Sequence, residues 1–325
     1  MKKMFLSLVA TMIATVSFAQ TNVVATLTHG DEITMFYGGF ALREAHAAAT
    51  NGDIINLSGG AFQSVKITKA LSIRGTGVND SNPTFITGDF DVEIPSDVTE
   101  RLSFEGCRIP NNITIKGSLT NAYFMKNDIQ HIDIYNSETK MIHGLFANCN
   151  VYGFALWGKS DVQFINSHVE DFDNYEENKA TASFINCVIR PYDGDYAQCI
   201  RSSLLTSCIL YWTGYNSYSL PSTSSAINCV AVGNGSYAAF RDVVSKQNCQ
   251  YADMDIFQDS NVWNDLTNEA KAKYIGNDGT PVGMYGGILP FNLIPTYPQI
   301  TKMNVANKTT ADGKLSVEIE VSAAQ

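Results

Sequence analysis

A short pattern recurs through the middle of this chain: a large apolar residue, any residue, Asn, then Cys. It appears as Phe104-Glu105-Gly106-Cys107, Met125-Lys126-Asn127-Asp128, Phe146-Ala147-Asn148-Cys149 and Phe164-Ile165-Asn166-Ser167. It continues as Phe184-Ile185-Asn186-Cys187, Leu205-Thr206-Ser207-Cys208, Ala226-Ile227-Asn228-Cys229 and Lys246-Gln247-Asn248-Cys249. The Cys-type positions lie 21, 21, 18, 20, 21, 21 and 20 residues apart. Copies in phase over that distance commit the chain to a stacked repeat, since a unit this small buries its apolar face only against its neighbours.

A second register runs beside the first. Leu71-Ser72-Ile73, Val92-Glu93-Ile94, Ile113-Thr114-Ile115 and Ile132-Asp133-Ile134 are apolar–polar–apolar triplets, each a short strand with alternate side chains inward. A leucine-rich repeat has a similar period but needs a run of leucines and a helical segment in each unit. Short β-branched and aromatic strands between Asn, Gly, Asp and Ser turns instead favour an all-β parallel β-helix. The recurring Asn suits a sharp bend in the left-handed backbone region, which Gly106 also satisfies, and stacked amides are expected to hydrogen-bond along the column. Of the seven cysteines, six share one inward position and Cys199 lies off it. Adjacent coils about 4.8 Å apart favour small buried thiols, since a disulfide brings its Cβ atoms to about 3.8 Å. A disulfide remains the alternative.

The flanks have other tasks. Residues 1–19 combine Lys2 and Lys3, an apolar stretch from Met4 to Phe18 and the small residues Ser17 and Ala19, which reads as a signal peptide. The chain is therefore expected to be exported to the periplasm, cell surface or exterior, without membrane insertion. Residues 20–290 form the β-helix with its caps. In the upstream cap, Phe40, Leu42, Ala45, Ala48 and Ala49 recur at helical spacing. The Gly-rich stretch from Gly276 to Gly287 reads as tight turns closing the last coil. Residues 291–325 read as a Pro-rich linker followed by a β-hairpin, with strands Ile300 to Val305 and Leu315 to Val321 around Ala311-Asp312-Gly313.

The stretch from Ala45 to Leu57, then Gly59-Gly60-Ala61-Phe62, Leu71-Ser72-Ile73-Arg74-Gly75, the repeated Phe-x-Asn-Cys units and the ending at Gly287 give the chain its likeness. It resembles the secreted right-handed parallel β-helix proteins of the pectin-lyase-like superfamily, in the form common in Bacteroidetes, over roughly residues 23–290. The resemblance implies a fold and leaves the activity open, since that superfamily holds lyases, hydrolases and adhesins.

Two residue groups are candidates for function. Tyr192, Tyr196, Tyr211, Trp212, Tyr215 and Tyr218, with Asp193, crowd one part of the chain, and flat rings on stacked coils suit the apolar faces of sugars. They can equally cover loops or plug the core. The carboxylates Asp171, Asp173, Asp193 and Asp195 are the best calcium candidates under a lyase reading, with Arg190 or Arg201 as the base, although solvated loops carry the same charge pattern. No other cofactor is expected. The net charge of −10 and the absence of any basic run argue against nucleic acid as a partner. A polysaccharide or cell-surface glycan fits better. The expectation is a non-enzymatic exported β-helix that binds glycans or surface polymers or serves as an adhesion scaffold. The alternative is a polysaccharide lyase or hydrolase acting on acidic glycans.

Overall fold

The computed structural model describes residues 23–79, 82–134, 138–174, 180–190, 200–211, 219–233, 238–259, 262–305, 308, 312–314 and 316–322. The signal-peptide segment and Cys199 lie outside them. The chain winds into a parallel β-solenoid of about eight turns. One coil shows the plan: Gly144–Ala147 lies in a first sheet, Asn148 turns the chain, Asn150–Val151 enters a second sheet, and Phe154–Leu156 forms a short third face. Asp161–Ile165 then stacks in parallel on Gly144–Ala147 and starts the next coil.

Strict register turns the sequence repeat into columns. Phe104, Phe124, Phe146, Phe164 and Phe184 are direct cross-strand partners in the first sheet, followed by Leu205, Ala226 and Lys246. The five rings stack with centroids 5.5, 4.7, 4.9 and 5.0 Å apart. Phe154 and Phe172 on the third face meet this stack edge-on. Each buried ring contributes about 1.5–3 kcal/mol, with about 0.5–1.5 kcal/mol more per ring pair.

The same register corrects the second repeat. Phe124 occupies the ring column in place of Met125, and Lys126 holds the left-handed turn at φ 55°. Asn127 therefore falls in the cysteine column, fully buried. There its Oδ1 accepts from the Cys107 amide at 2.9 Å and its Nδ2 donates to the Phe104 carbonyl at 2.8 Å. Ser167 fills the same column, its Oγ accepting from the Cys149 amide and donating to Ile165 O at 2.9 Å. The thiols of Cys149, Cys187, Cys208 and Cys229 donate to the carbonyl two residues earlier. The column thus selects a small inward donor, which Cys, Ser and Asn all supply.

At the N-terminal end, strands β1 (Val24–His29) and β2 (Glu32–Tyr37) form an antiparallel hairpin, and β1 pairs antiparallel with β3 (Ile54–Leu57), the first strand of the solenoid. The two-residue Gly30-Asp31 turn between two alternating runs is the signal for this hairpin, which sequence reasoning passed over. Helix α1 (Ala41–Ala48) covers the first coil with Ala41, Leu42, Ala45 and His46, while Phe40 and Ala48 of the expected apolar stripe face solvent. Lys69 Nζ donates to the carbonyls of His46, Ala47 and Ala49, satisfying the C-terminal end of α1. Burial, reinforced by Lys69, lowers the His46 pKa to about 4.

After the last coil the chain doubles back. A short antiparallel pair, Phe257–Asp259 with Val262–Leu266, and helix α2 (Asn268–Lys273) lie against the outer side of the second sheet. Ile256, Phe257, Leu266, Ala270 and Tyr274 join the outward side chains of Val188, Ile209, Tyr211, Val230 and Val232 in a second apolar core. The Gly-rich stretch does not close the last coil. It runs back along the turn column as a strap, because the turn side chains offer hydrogen bonds at every coil. Asn277 N donates to Ser207 Oγ at 2.8 Å, and Asn166 Nδ2 donates to the carbonyls of Met284 and Gly286 at 2.8 and 2.7 Å. Asn148 Nδ2 reaches Leu289 O, and Asn148 Oδ1 accepts from the Asn292 amide at 2.6 Å.

The amides of Asn148 and Asn166 therefore bind the strap, where bonding along their own column was expected. Residues 291–297, read as a linker, continue on the solenoid. Lys126 Nζ donates to Ile294 O, Thr296 to Glu105 Oε1, and the Tyr297 hydroxyl to Gly75 O. A Cβ on Gly106 would lie 2.8 Å from the Pro295 ring, so the glycine gives the strap its close approach. Beyond it, Gln299–Val305 and Val317–Ser322 form the expected antiparallel hairpin.

Candidate functional site

Part of the first sheet's outer face stays uncovered. Its outward positions follow the inward Phe column one residue away: Leu145, Gln163, Ser183, Leu204 and Ser225 are successive cross-strand partners. With His143, Asp161, Thr181, Ser202 and Thr223 along one side, they line a shallow trough of about 580 Å³. Five rungs at the strand spacing extend it over roughly 19 Å.

Its polar groups are held in place. Gln163 Nε2 donates to Ser183 Oγ at 3.1 Å across two coils. Asp161 Oδ2 accepts from the His143 amide at 3.0 Å and lies 2.6 Å from His143 Nδ1. His143 and Ser202 both sit at positive φ, 54° and 49°, so the rim is made of tight left-handed turns. Leu204 is 47% exposed on the trough floor. The arrangement offers hydroxyl, amide and carboxylate groups around small apolar patches, which is chemistry for hydroxyl-rich ligands.

Of the aromatic candidates, Tyr192, Tyr196, Trp212, Tyr215 and Tyr218 lie outside the described residues, as do Asp193 and Asp195. Tyr211 is described and is no exposed platform. It is 2% exposed, and its ring meets Phe257 edge-on in the second core. Its hydroxyl lies 3.1 Å from His168 Nε2 and 3.4 Å from Glu170 Oε1. Arg190 Nη1 donates to the other carboxylate oxygen of Glu170 at 2.9 Å. Burial lowers the His168 pKa and raises that of the Tyr211 hydroxyl, with Glu170 adding to the latter. Burial acts to lower the Arg190 pKa, and the Glu170 carboxylate outweighs it, so the net shift is upward.

Asp171 occupies a left-handed turn at φ 42°, and Asp173 lies on the third face beside Ala155. Their expected calcium partners lie outside the described residues. Among the described residues, no three His, Cys, Asp or Glu side chains converge as metal ligands. Arg201 contributes its carbonyl to Asn174 Nδ2 at 2.8 Å.

Comparison with known protein families, with curated proteins and with solved structures finds no match to this chain.

Sequence reasoning passed over the trough because its residues are unremarkable singly. The available signal was the residue before the inward Phe or Leu of each trough coil (Leu145, Gln163, Ser183, Leu204), which is small, amide-bearing or aliphatic and uncharged.

Proposed function

We propose that this protein is an exported β-helix related to the pectin-lyase-like proteins, and that it binds a linear glycan or surface polymer along the outer face of its first sheet. The trough carries this reading. It is long, shallow and open, it repeats once per coil, and its floor alternates hydroxyl and amide groups with Leu145 and Leu204. A polymer with one sugar per coil meets the same surface at each step, so modest contacts add along its length. Side chains already fixed by hydrogen bonds, such as Gln163 and Asp161, lose little entropy when a ligand arrives.

Affinity electrophoresis through gels cast with neutral and uronate polysaccharides tests the proposal. Retardation by at least one polymer is expected, and it should weaken when Gln163→Ala and Leu204→Ala are combined. Retardation that the double variant leaves unchanged would remove the trough from the proposal. That the protein binds such polymers without cleaving them, the other half of the proposal, is tested by incubating it with uronate polymers, with and without calcium. Unsaturated products in either arm would overturn it.

A further inference from the structure

The two ends of the first sheet are finished differently. At the C-terminal end, Ser245–Gln247 directs Lys246 into the column that Phe and Leu occupy in earlier coils. Lys246 Nζ is held by Phe240 O at 2.7 Å. An inward charge on a terminal strand discourages addition of another strand.

At the N-terminal end the outermost strand among the described residues is β2, and it carries no such device. Gly38 N donates to Val23 O at 2.8 Å, and the register pairs Val24 with Tyr37 and Thr26 with Met35. Antiparallel alternation then turns the backbone groups of Glu32, Thr34 and Phe36 towards β1, leaving those of Ile33, Met35 and Tyr37 on the open edge. The side chains of these three residues share one face and are 66%, 56% and 66% exposed. The strand holds no Pro, no Lys and no bulge.

We propose that β2 pairs antiparallel with β2 of a second copy, about a two-fold axis through Met35. The sequence is self-complementary in that register. Met35 faces Met35, Ile33 faces Tyr37 on the exposed face, and Thr34 faces Phe36 on the other, pairs of the kind that stabilise sheets. Charge selects this direction. A parallel pairing sets Asp31 and Glu32 against the same carboxylates of the second copy, whereas the antiparallel one places Glu32 opposite Gly38 and Asp31 opposite Gly39. The contact is isologous and closes at two copies. It joins the two first sheets into one and stands independently of what the trough binds.

Sedimentation equilibrium of the purified protein tests this. A mass of two chains, falling towards one on dilution, is expected. Met35→Lys sets two ammonium groups against each other at the axis and should give a single-chain mass, with the unfolding transition of the wild-type chain diluted until it dissociates, since the side chain is exposed. Ile33→Glu should weaken association roughly tenfold or more. Adding Tyr37→Lys should restore it, because each introduced charge then faces its opposite across the axis. A single-chain mass at every concentration, or a dimer that Met35→Lys leaves intact, overturns the proposal. Failure of the paired substitution to restore association, with unfolding unaffected, overturns the register.

Discussion

The two long sheets are built alike inside and differently outside. Both point an apolar column into the solenoid: Phe124, Phe146, Phe164 and Phe184 from the first, Ile109, Ile129, Val151, Val169 and Ile189 from the second. Outward, the second sheet changes along its length. It presents Arg108, Asp128, Asn150 and His168, then Val188, Ile209 and Val230, at equivalent positions of successive strands. The change falls where the returning chain arrives. In the first sheet the trough column from Leu145 to Ser225 shows no such switch and stays open, while the column beside the strap is buried at Met125 and Ala147. Coverage follows the outward column, so a repeat identical inside can hold one face for packing and leave the other for contact.

The sharpest way to test this contrast uses adjacent residues of one strand. Phe164 touches four other rings, and Phe164→Ala should cost about 3–5 kcal/mol in denaturant unfolding. Gln163→Ala, one residue away on the trough, should stay within about 0.5 kcal/mol. Comparing outer faces gives the next effect. Ile209→Ala on the covered face should cost about 2–5 kcal/mol, like a core residue, while Leu204→Ala on the open face should stay near the surface range. Equal losses would mean that coverage does not separate the sheets.

A smaller effect concerns the strap. Asn166→Gly keeps the left-handed turn but removes two hydrogen bonds, and should cost about 1–3 kcal/mol. Faster hydrogen exchange in the strap near Met284 and Gly286 should accompany it. The remaining effect is in pH. His168 on the covered face and His46 in the end cap both have pKa values lowered by burial. Below the ordinary histidine value of 6.5 the unfolded chain binds protons that the folded one refuses. Stability is therefore full above 6.5 and declines as pH falls through the window towards about 4, the lowered value of His46. His168→Gln and His46→Gln should each flatten part of that decline in thermal melts.

The architecture was legible because one backbone demand, a left-handed bend, and one packing demand, a small inward donor, recur every twenty residues. The slip at the second coil has a definite cause. Asn127 follows Lys126 and imitates the turn residue, while serving as the inward donor in a column otherwise read from its cysteines. The covering of the second sheet also had a sequence signal. The runs after Cys187, Cys208 and Cys229 are apolar at consecutive positions, as in strands buried on both sides. The strap had none, since its partners are the side chains already assigned to the turns. The candidate site was the least legible part. A trough emerges from the register of ordinary residues on separate coils, and no local pattern announces it.

The strap also alters how such an array can come apart. A solenoid of nearest-neighbour units is free to fray coil by coil from either end. Here Asn148, Asn166 and Ser207 are each tied to residues late in the chain, and Thr296 returns to Glu105. These ties join residues about 70 to 191 positions apart. The seam is therefore expected to close late in folding, slowed by the long loops it must bring together. Once shut, it fastens early coils to late ones, so the array resists end-fraying and is expected to open as a single cooperative body.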